Sequence, residues 1–115
     1  MRVCILTWGC QLNHHKSEEI AGVLAASGYT LVEEPEEADV VILNTCMVRQ
    51  KSEDKVVGRV GELRKLKRKK PLLIGIGGCM PQGRGEKIFS LCPGVDFAFG
   101  TVGLRFLPDL IERAR

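Results

Sequence analysis

No apolar run in this sequence exceeds about eight residues, well short of the ~20 that a membrane-spanning helix requires. The opening Met1-Arg2-Val3-Cys4-Ile5 enters a strand-like run at once and leaves no room for a leader with a cleavage site. A cytoplasmic, reducing setting with no membrane partner is therefore expected. Aromatic residues make up only 5% of the chain, which argues against a surface that stacks bases. There is no repeat, low-complexity tract or linker. A paired C-x2-C, the usual mark of a structural zinc site, is also missing.

Against these absences, five cysteines in 115 residues are many for a reducing compartment, though below the density of a disulfide scaffold. Three of them follow runs that read as buried β-strands. Cys10 ends Val3-Cys4-Ile5-Leu6-Thr7-Trp8-Gly9-Cys10, Cys46 ends Val40-Val41-Ile42-Leu43-Asn44-Thr45-Cys46, and Cys79 ends Leu72-Leu73-Ile74-Gly75-Ile76-Gly77-Gly78-Cys79. The chain is long enough for one domain with a five-stranded core.

Strand-length apolar runs alternate with stretches of helical period, the pattern of βαβ units around a parallel sheet. The expected fold is a single α/β domain of Rossmann or flavodoxin-like type, a mostly parallel sheet of about five strands flanked by helices. Strands are expected near 2–7, 29–32, 39–44, 72–76 and 95–98. Helices are expected near Ser17–Ser27, with Ile20, Val23, Leu24 and Ser27 on the apolar side, near 50–69, near 83–90 with Ile88 and Phe89 inward, and toward the C-terminus around Pro108. Gly28 is placed to end the first helix in a left-handed conformation.

If the strands before Cys10, Cys46 and Cys79 lie parallel, their thiols emerge at the carboxyl edge of the sheet, where open α/β sheets bind ligands. Gly9, Gly77 and Gly78 let the backbone leave a strand sharply and keep a Cβ away from a bulky group. Asn44 and Thr45 supply side-chain hydrogen bonds for a loop. Backbone N–H groups at the start of a following helix favour the thiolate, the ligating form. Three ligands with no evident fourth suit an iron–sulfur cluster with one open iron. Alternatively, His14 or His15 completes a Cys3His zinc set in an α/β binding module, or one thiol acts as the nucleophile of a cysteine-dependent enzyme. Cys4 and Cys92 read as structural. Gly75-Ile76-Gly77-Gly78-Cys79-Met80 lacks the last glycine of a dinucleotide loop, and four residues between Cys79 and Arg84 are one short of a cysteine-phosphatase loop.

The net charge of +3 is unevenly spread. Glu33-Glu34-Pro35-Glu36-Glu37 is acidic, whereas residues 64–70 read Arg-Lys-Leu-Lys-Arg-Lys-Lys. That basic run is either a solvated helix end complementing the dipole or a patch that contacts nucleic-acid phosphates.

Thr7-Trp8-Gly9-Cys10-Gln11-Leu12-Asn13, Asn44-Thr45-Cys46-Met47-Val48-Arg49 and Gly77-Gly78-Cys79-Met80-Pro81-Gln82 resemble the three cysteine motifs of the methylthiotransferase N-terminal domain, the first domain of the radical S-adenosylmethionine methylthiotransferases. The resemblance covers essentially residues 1–115. Gln11-Leu12-Asn13 and Arg49 look most like the MiaB-type tRNA branch, whose members methylthiolate an isopentenylated adenosine beside the anticodon. Branches acting on threonylcarbamoyl-adenosine tRNA or a ribosomal protein are the alternatives.

The resemblance implies that Cys10, Cys46 and Cys79 hold an auxiliary 4Fe–4S cluster that holds or delivers sulfur. It implies support from Gly9, Asn13, Thr45, Arg49 and Gly78 to the cluster loops or substrate. S-adenosylmethionine and a second 4Fe–4S cluster would belong to a radical SAM domain, with tRNA as substrate and a monomeric enzyme. The C-x3-C-x2-C motif of that domain and a C-terminal RNA-binding domain are not in this sequence, so the chain on its own is expected to be inactive. Lys16 stands where the family usually has an acidic residue, and Ser52 and Pro81 where it usually has alanine.

Overall fold

The computed structural model describes residues 2–7, 11–45, 50–78, 94–99 and 106–114. In chain order these form β1 (Arg2–Thr7), α1 (Gln11–Ala26), β2 (Thr30–Leu31), a 3-10 turn (Pro35–Glu37), β3 (Val40–Thr45), α2 (Gln50–Lys69), β4 (Leu73–Gly78), β5 (Phe97–Phe99) and α3 (Leu107–Ala114). The five strands make one sheet in the order β2-β1-β3-β4-β5, every pair parallel. This is the flavodoxin-like order, with its topological switch between β1 and β3. The expected α/β domain is thus observed, with a wholly parallel sheet.

Because strand side chains alternate, each strand serves both faces. Val3, Val40, Ile42 and Phe97 point to one face and pack with Ile20 and Leu24 of α1 and Leu107 and Ile111 of α3. Cys4, Val41, Leu43, Ile74 and Ile76 point to the other and pack with Val56, Val60 and Leu63 of α2. Burial on both faces explains the unbroken Val-Val-Ile-Leu of β3.

Several boundaries differ from the sequence expectation. α1 starts at Gln11, about two turns before Ser17, since residues 11–16 hold no glycine or proline to interrupt it. Ser27 is exposed rather than apolar-facing, because the helix has already closed. There the Gly28 amide donates to the Ala25 carbonyl (3.1 Å) and the Tyr29 amide to the Leu24 carbonyl (3.0 Å), with Gly28 at φ +94°. That is the Schellman arrangement, and its left-handed residue is the expected glycine. β4 runs two residues past its expected end, so Gly77 and Gly78 are strand residues. β5 begins at Phe97 rather than near 95. The helix expected near 83–90, with Ile88 and Phe89, lies outside the described residues.

Glycine in β4 has a packing cause. Gly75 is the register partner of Phe97, and Gly77 of Phe99. A Cβ on either glycine would overlap the outer edge of the facing phenyl ring. The two rings stack along β5 with centroids 6.4 Å apart and cover the space the glycines leave. At Gly77 the missing side chain therefore serves Phe99, not an exit from the strand.

The amino edge of the sheet is closed by polar stitches. The Asp96 carboxylate accepts from Lys67 Nζ (2.7 and 2.6 Å) and from the Ile74 amide (2.8 Å), tying α2, β4 and the approach to β5. Lys70 Nζ donates to the carbonyls of Glu36 (2.9 Å) and Ala38 (2.7 Å). Asp39 accepts from the Arg2 amide (2.9 Å) and its own carbonyl accepts from Leu73 N (3.0 Å).

Candidate functional site

The carboxyl edge carries the strand ends that precede the three cysteines. Register pairing aligns Thr7 with Asn44, Asn44 with Gly77, and Thr45 with Gly78, so β1, β3 and β4 end side by side. In sequence, Cys46 and Cys79 are each the next residue after those paired ends, and Cys10 is three residues beyond Thr7. Among the residues named from sequence, the structure brings together Thr45 and Gly78 as direct neighbours. Asn13 lies in the first turn of α1. Cys10, Cys46, Cys79, Gly9 and Arg49 lie outside the described residues.

Two helix starts flank this edge. Each helix runs back against its strands, so the N-termini of α1 and α2 stand at the carboxyl end, on opposite faces of the sheet. Ser17 of α1 touches the tip of β1, and Gln11 lies six residues earlier; at 1.5 Å per residue the first turns rise about 9 Å beyond that contact. The backbone N–H groups and positive dipole end of α1 are thereby presented above the strand ends, where an anionic thiolate or cluster is favoured.

A small polar network fixes α1 there. Thr7 Oγ1 and Ser17 Oγ lie 2.6 Å apart, and Asn44 Nδ2 donates to Ser17 Oγ at 2.8 Å. Asn44 is only 1% exposed, a buried amide at the switch point between β1 and β3. An amide left without partners there would cost about 1–3 kcal/mol. No buried side-chain nitrogen or oxygen among the described residues lacks a partner. Sequence reasoning finds Asn44 but misses Ser17, which joins two strand ends to the helix. The available signal is a lone amide inside an apolar strand, which obliges a polar partner on the covering helix.

Beside this network, β2 stops after two residues while β1 continues to Thr7. The difference leaves an open cleft of about 450 Å³, lined by Ile5, Thr7, Ser17, Glu18, Leu31 and Glu33 among others.

His15, offered with His14 as a zinc ligand, has a described position. It lies in helix α1 rather than in a loop, its ring is exposed, and its nitrogens face Glu18 (3.7 Å) and Glu19 (3.9 Å) of the same helix. No group of three or more metal-ligating side chains occurs among the described residues. Cys4 is structural, as expected. Its thiol is buried on the α2 face and donates to the Glu33 carbonyl at 3.5 Å. Burial pushes its pKa from 9.0 up to about 11, opposed by Arg59 and reinforced by Glu34 and Glu36, so the thiol stays protonated at neutral pH. Cys92 lies outside the described residues. Among the described residues, no helix is long and apolar enough to cross a membrane.

Comparison with known proteins places the chain in a family. Residues 2–100 match the family described as "Uncharacterized protein family UPF0004". The chain is 50% identical over 113 residues to the tRNA-2-methylthio-N(6)-dimethylallyladenosine synthase of Aeromonas salmonicida, covering 96% of this chain and 24% of that protein. It is 50% identical over 109 residues to the enzyme of the same name from Dictyoglomus thermophilum, covering 94% and 25%. For that of Sulfurihydrogenibium sp. the values are 44% over 116 residues, 100% and 26%. The chain spans about a quarter of the length of the curated relatives it matches. With the family match covering most of the sequence and the cysteine motifs in order, the chain belongs to the UPF0004 family, the N-terminal domain of MiaB-type methylthiotransferases.

Proposed function

We propose that residues 1–115 form the cluster-binding domain of a tRNA methylthiotransferase that modifies an isopentenylated adenosine. The observation that carries the proposal is the shared edge: three strands, adjacent and in register, end where the sequence places Cys10, Cys46 and Cys79. Three thiols from separate loops with no C-x2-C pair are a donor set suited to an iron–sulfur cluster and poorly suited to a closed zinc site. The dipole end of α1 adds a field that favours anionic ligands.

In this reading Cys10, Cys46 and Cys79 hold a 4Fe–4S cluster, which when bound supplies or retains the sulfur to be transferred. The chain's own residues position it. Ser17 locks α1 to the tips of β1 and β3 through Thr7 and Asn44, so the helix start and the strand ends move as one unit. Thr45 and Gly78, paired at the edge, set the spacing from which Cys46 and Cys79 depart. Gly9, Asn13 and Arg49 order the loops or meet the substrate. A radical SAM domain with its own cluster and S-adenosylmethionine, together with an RNA-binding domain, would complete a cytoplasmic, monomeric enzyme acting on tRNA.

The test is made in cells lacking the endogenous enzyme and expressing the full-length protein, with tRNA nucleosides read by mass spectrometry. Wild type should restore the methylthio group on isopentenyl-adenosine, and each of Cys10→Ala, Cys46→Ala and Cys79→Ala should abolish it. Restoration on threonylcarbamoyl-adenosine instead would move the chain to a different branch. Full activity of a cysteine variant would remove that residue from the ligand set.

A further inference from the structure

The basic run 64–70 splits into two groups. Lys67 and Lys70 are consumed internally, by Asp96 and by the Glu36 and Ala38 carbonyls. Arg64, Lys65, Arg68 and Lys69 are all exposed, and among the described residues none of them makes an ion pair or side-chain hydrogen bond. At 100° per residue Lys65, Arg68 and Lys69 turn away from Val60 and Leu63, while Arg64, four residues after Val60, sits beside them at the margin of the buried face. Arg64 and Lys65 are each followed four residues later by a like charge, an arrangement that destabilises an isolated helix by about 0.2–0.5 kcal/mol per pair.

Among the described residues, the acids nearest these four cations are engaged elsewhere. Glu62 pairs with Arg59 at 2.6 Å and Asp96 with Lys67 at 2.6 Å. The acidic 3-10 turn lies toward the same edge but engages Lys70 through backbone carbonyls rather than carboxylates. The stem of Arg64 lies against Gly94, whose missing Cβ makes room for it and keeps that side chain along the surface. Helix-dipole complementarity accounts for cations in the last turn, but Arg64 and Lys65 lie before it.

We propose that Arg64, Lys65, Arg68 and Lys69 form a phosphate-contacting surface for RNA, at the amino edge of the sheet and remote from the cysteine edge. The inference rests on the tRNA reading above and adds a second RNA-binding surface to it. α2 spans 20 residues, about 30 Å, so its basic end is separated from the carboxyl edge by roughly the width of the domain. With so few aromatics, contact would be to backbone phosphates rather than to stacked bases, hence independent of base sequence.

The experiment uses the full-length enzyme and an unmodified tRNA transcript, with affinity measured across a salt series. The variant Arg64→Gln/Lys65→Gln/Arg68→Gln/Lys69→Gln should bind on the order of tenfold or more weakly at about 0.15 M salt. Its log K against log salt should be shallower by about 0.7–0.9 for each phosphate that the variant no longer neutralises. A control, Arg2→Gln/Arg113→Gln, should change neither, and Arg64→Lys/Arg68→Lys should retain the slope. Iron content and the thermal melt identify a folding defect, in which case the two double-glutamine halves of the variant are measured separately. Unchanged affinity and slope would overturn the inference, as would loss of iron or turnover without loss of RNA affinity. If the wild-type protein binds RNA with a patch-dependent slope but methylthiolates no tRNA, the proposed function fails and this surface stands.

Discussion

The two edges of the sheet are built on opposite plans. At the amino edge, charged side chains are spent on the fold itself: Asp96 receives Lys67 and the Ile74 amide, Lys70 donates to two carbonyls, and Asp39 joins β1 to β4. At the carboxyl edge, the described polar partners are neutral and few, Thr7, Ser17 and Asn44, and they hold a helix start above the strand tips. The stitches of the amino edge, one ion pair and several bonds to backbone groups, are spent within the chain, and the exposed Arg64, Lys65, Arg68 and Lys69 stand apart from them. In the proposed reading the carboxyl edge, held by hydroxyls and an amide with thiols next in sequence, leaves those thiols for the cluster. Substitutions in the stitches of the amino edge should therefore cost stability alone, whereas those at the carboxyl edge should also cost bound iron.

The largest effect is expected from cysteine replacement. Cys10→Ala, Cys46→Ala or Cys79→Ala should remove the iron bound after anaerobic reconstitution while moving the apoprotein melt little, as checked by iron assay and calorimetry. Next comes the sheet between the edges. Gly75→Ala places a methyl over the outer edge of the Phe97 ring and should cost about 1–3 kcal/mol in denaturant unfolding, an overpacking penalty. A companion Phe97→Leu change should recover part of it.

Asp96→Ala and Asn44→Ala sharpen the comparison directly. Each removes a hydrogen-bonding hub and should lower stability by about 1–3 kcal/mol. Asp96→Ala should leave iron binding at the wild-type level, whereas Asn44→Ala, by releasing α1 from the strand tips, should also lower iron retention. Equal iron retention in the two variants would erase the proposed distinction. Asp96→Asn, which keeps an acceptor for the Ile74 amide, should lose less than Asp96→Ala, and its own loss relative to wild type should shrink with added salt because the ion pair it removes is partly exposed.

The smallest effect concerns Cys4. Its thiol has a raised folded pKa, about 11 against 9.0, so the neutral form is the one the fold favours. The resulting stability is fully present below pH 9 and is lost as pH rises through about 11. Cys4→Val should remove that alkaline limb from the stability profile. In the native wild-type domain at neutral pH, Cys4 should resist alkylation, read by mass spectrometry of the modified peptide.

Much of this architecture is legible in the sequence because local and global signals agree. The period-3.6 pattern of Val56, Val60 and Leu63 matches α2 at both ends, and Gly28 terminates α1 as its position implies. What escapes is decided by partners distant in sequence. Nothing local in Gly75 or Gly77 shows that a phenyl ring from β5 lies over it, so at Gly77 a packing glycine has the look of a ligand-site glycine. Ser17 looks like the start of a helix and is instead an interior residue bonded to two strands. The candidate site is legible as a motif and an edge: the strand ends are adjacent and in register, while their cysteines fall outside the described residues.

The most direct test of the central claim is iron and sulfide reconstitution under anaerobic conditions, with iron counting and Mössbauer spectroscopy on wild type and Cys46→Ala, in the isolated chain and in the full-length enzyme. The account predicts about four irons held at this edge in the wild-type chain, with the spectrum of a 4Fe–4S cluster, and their loss in Cys46→Ala. In the full-length enzyme the variant should lose the same four and keep those of the second cluster. Undiminished iron in Cys46→Ala, or one zinc and no iron in a folded wild-type protein of either length, would contradict it.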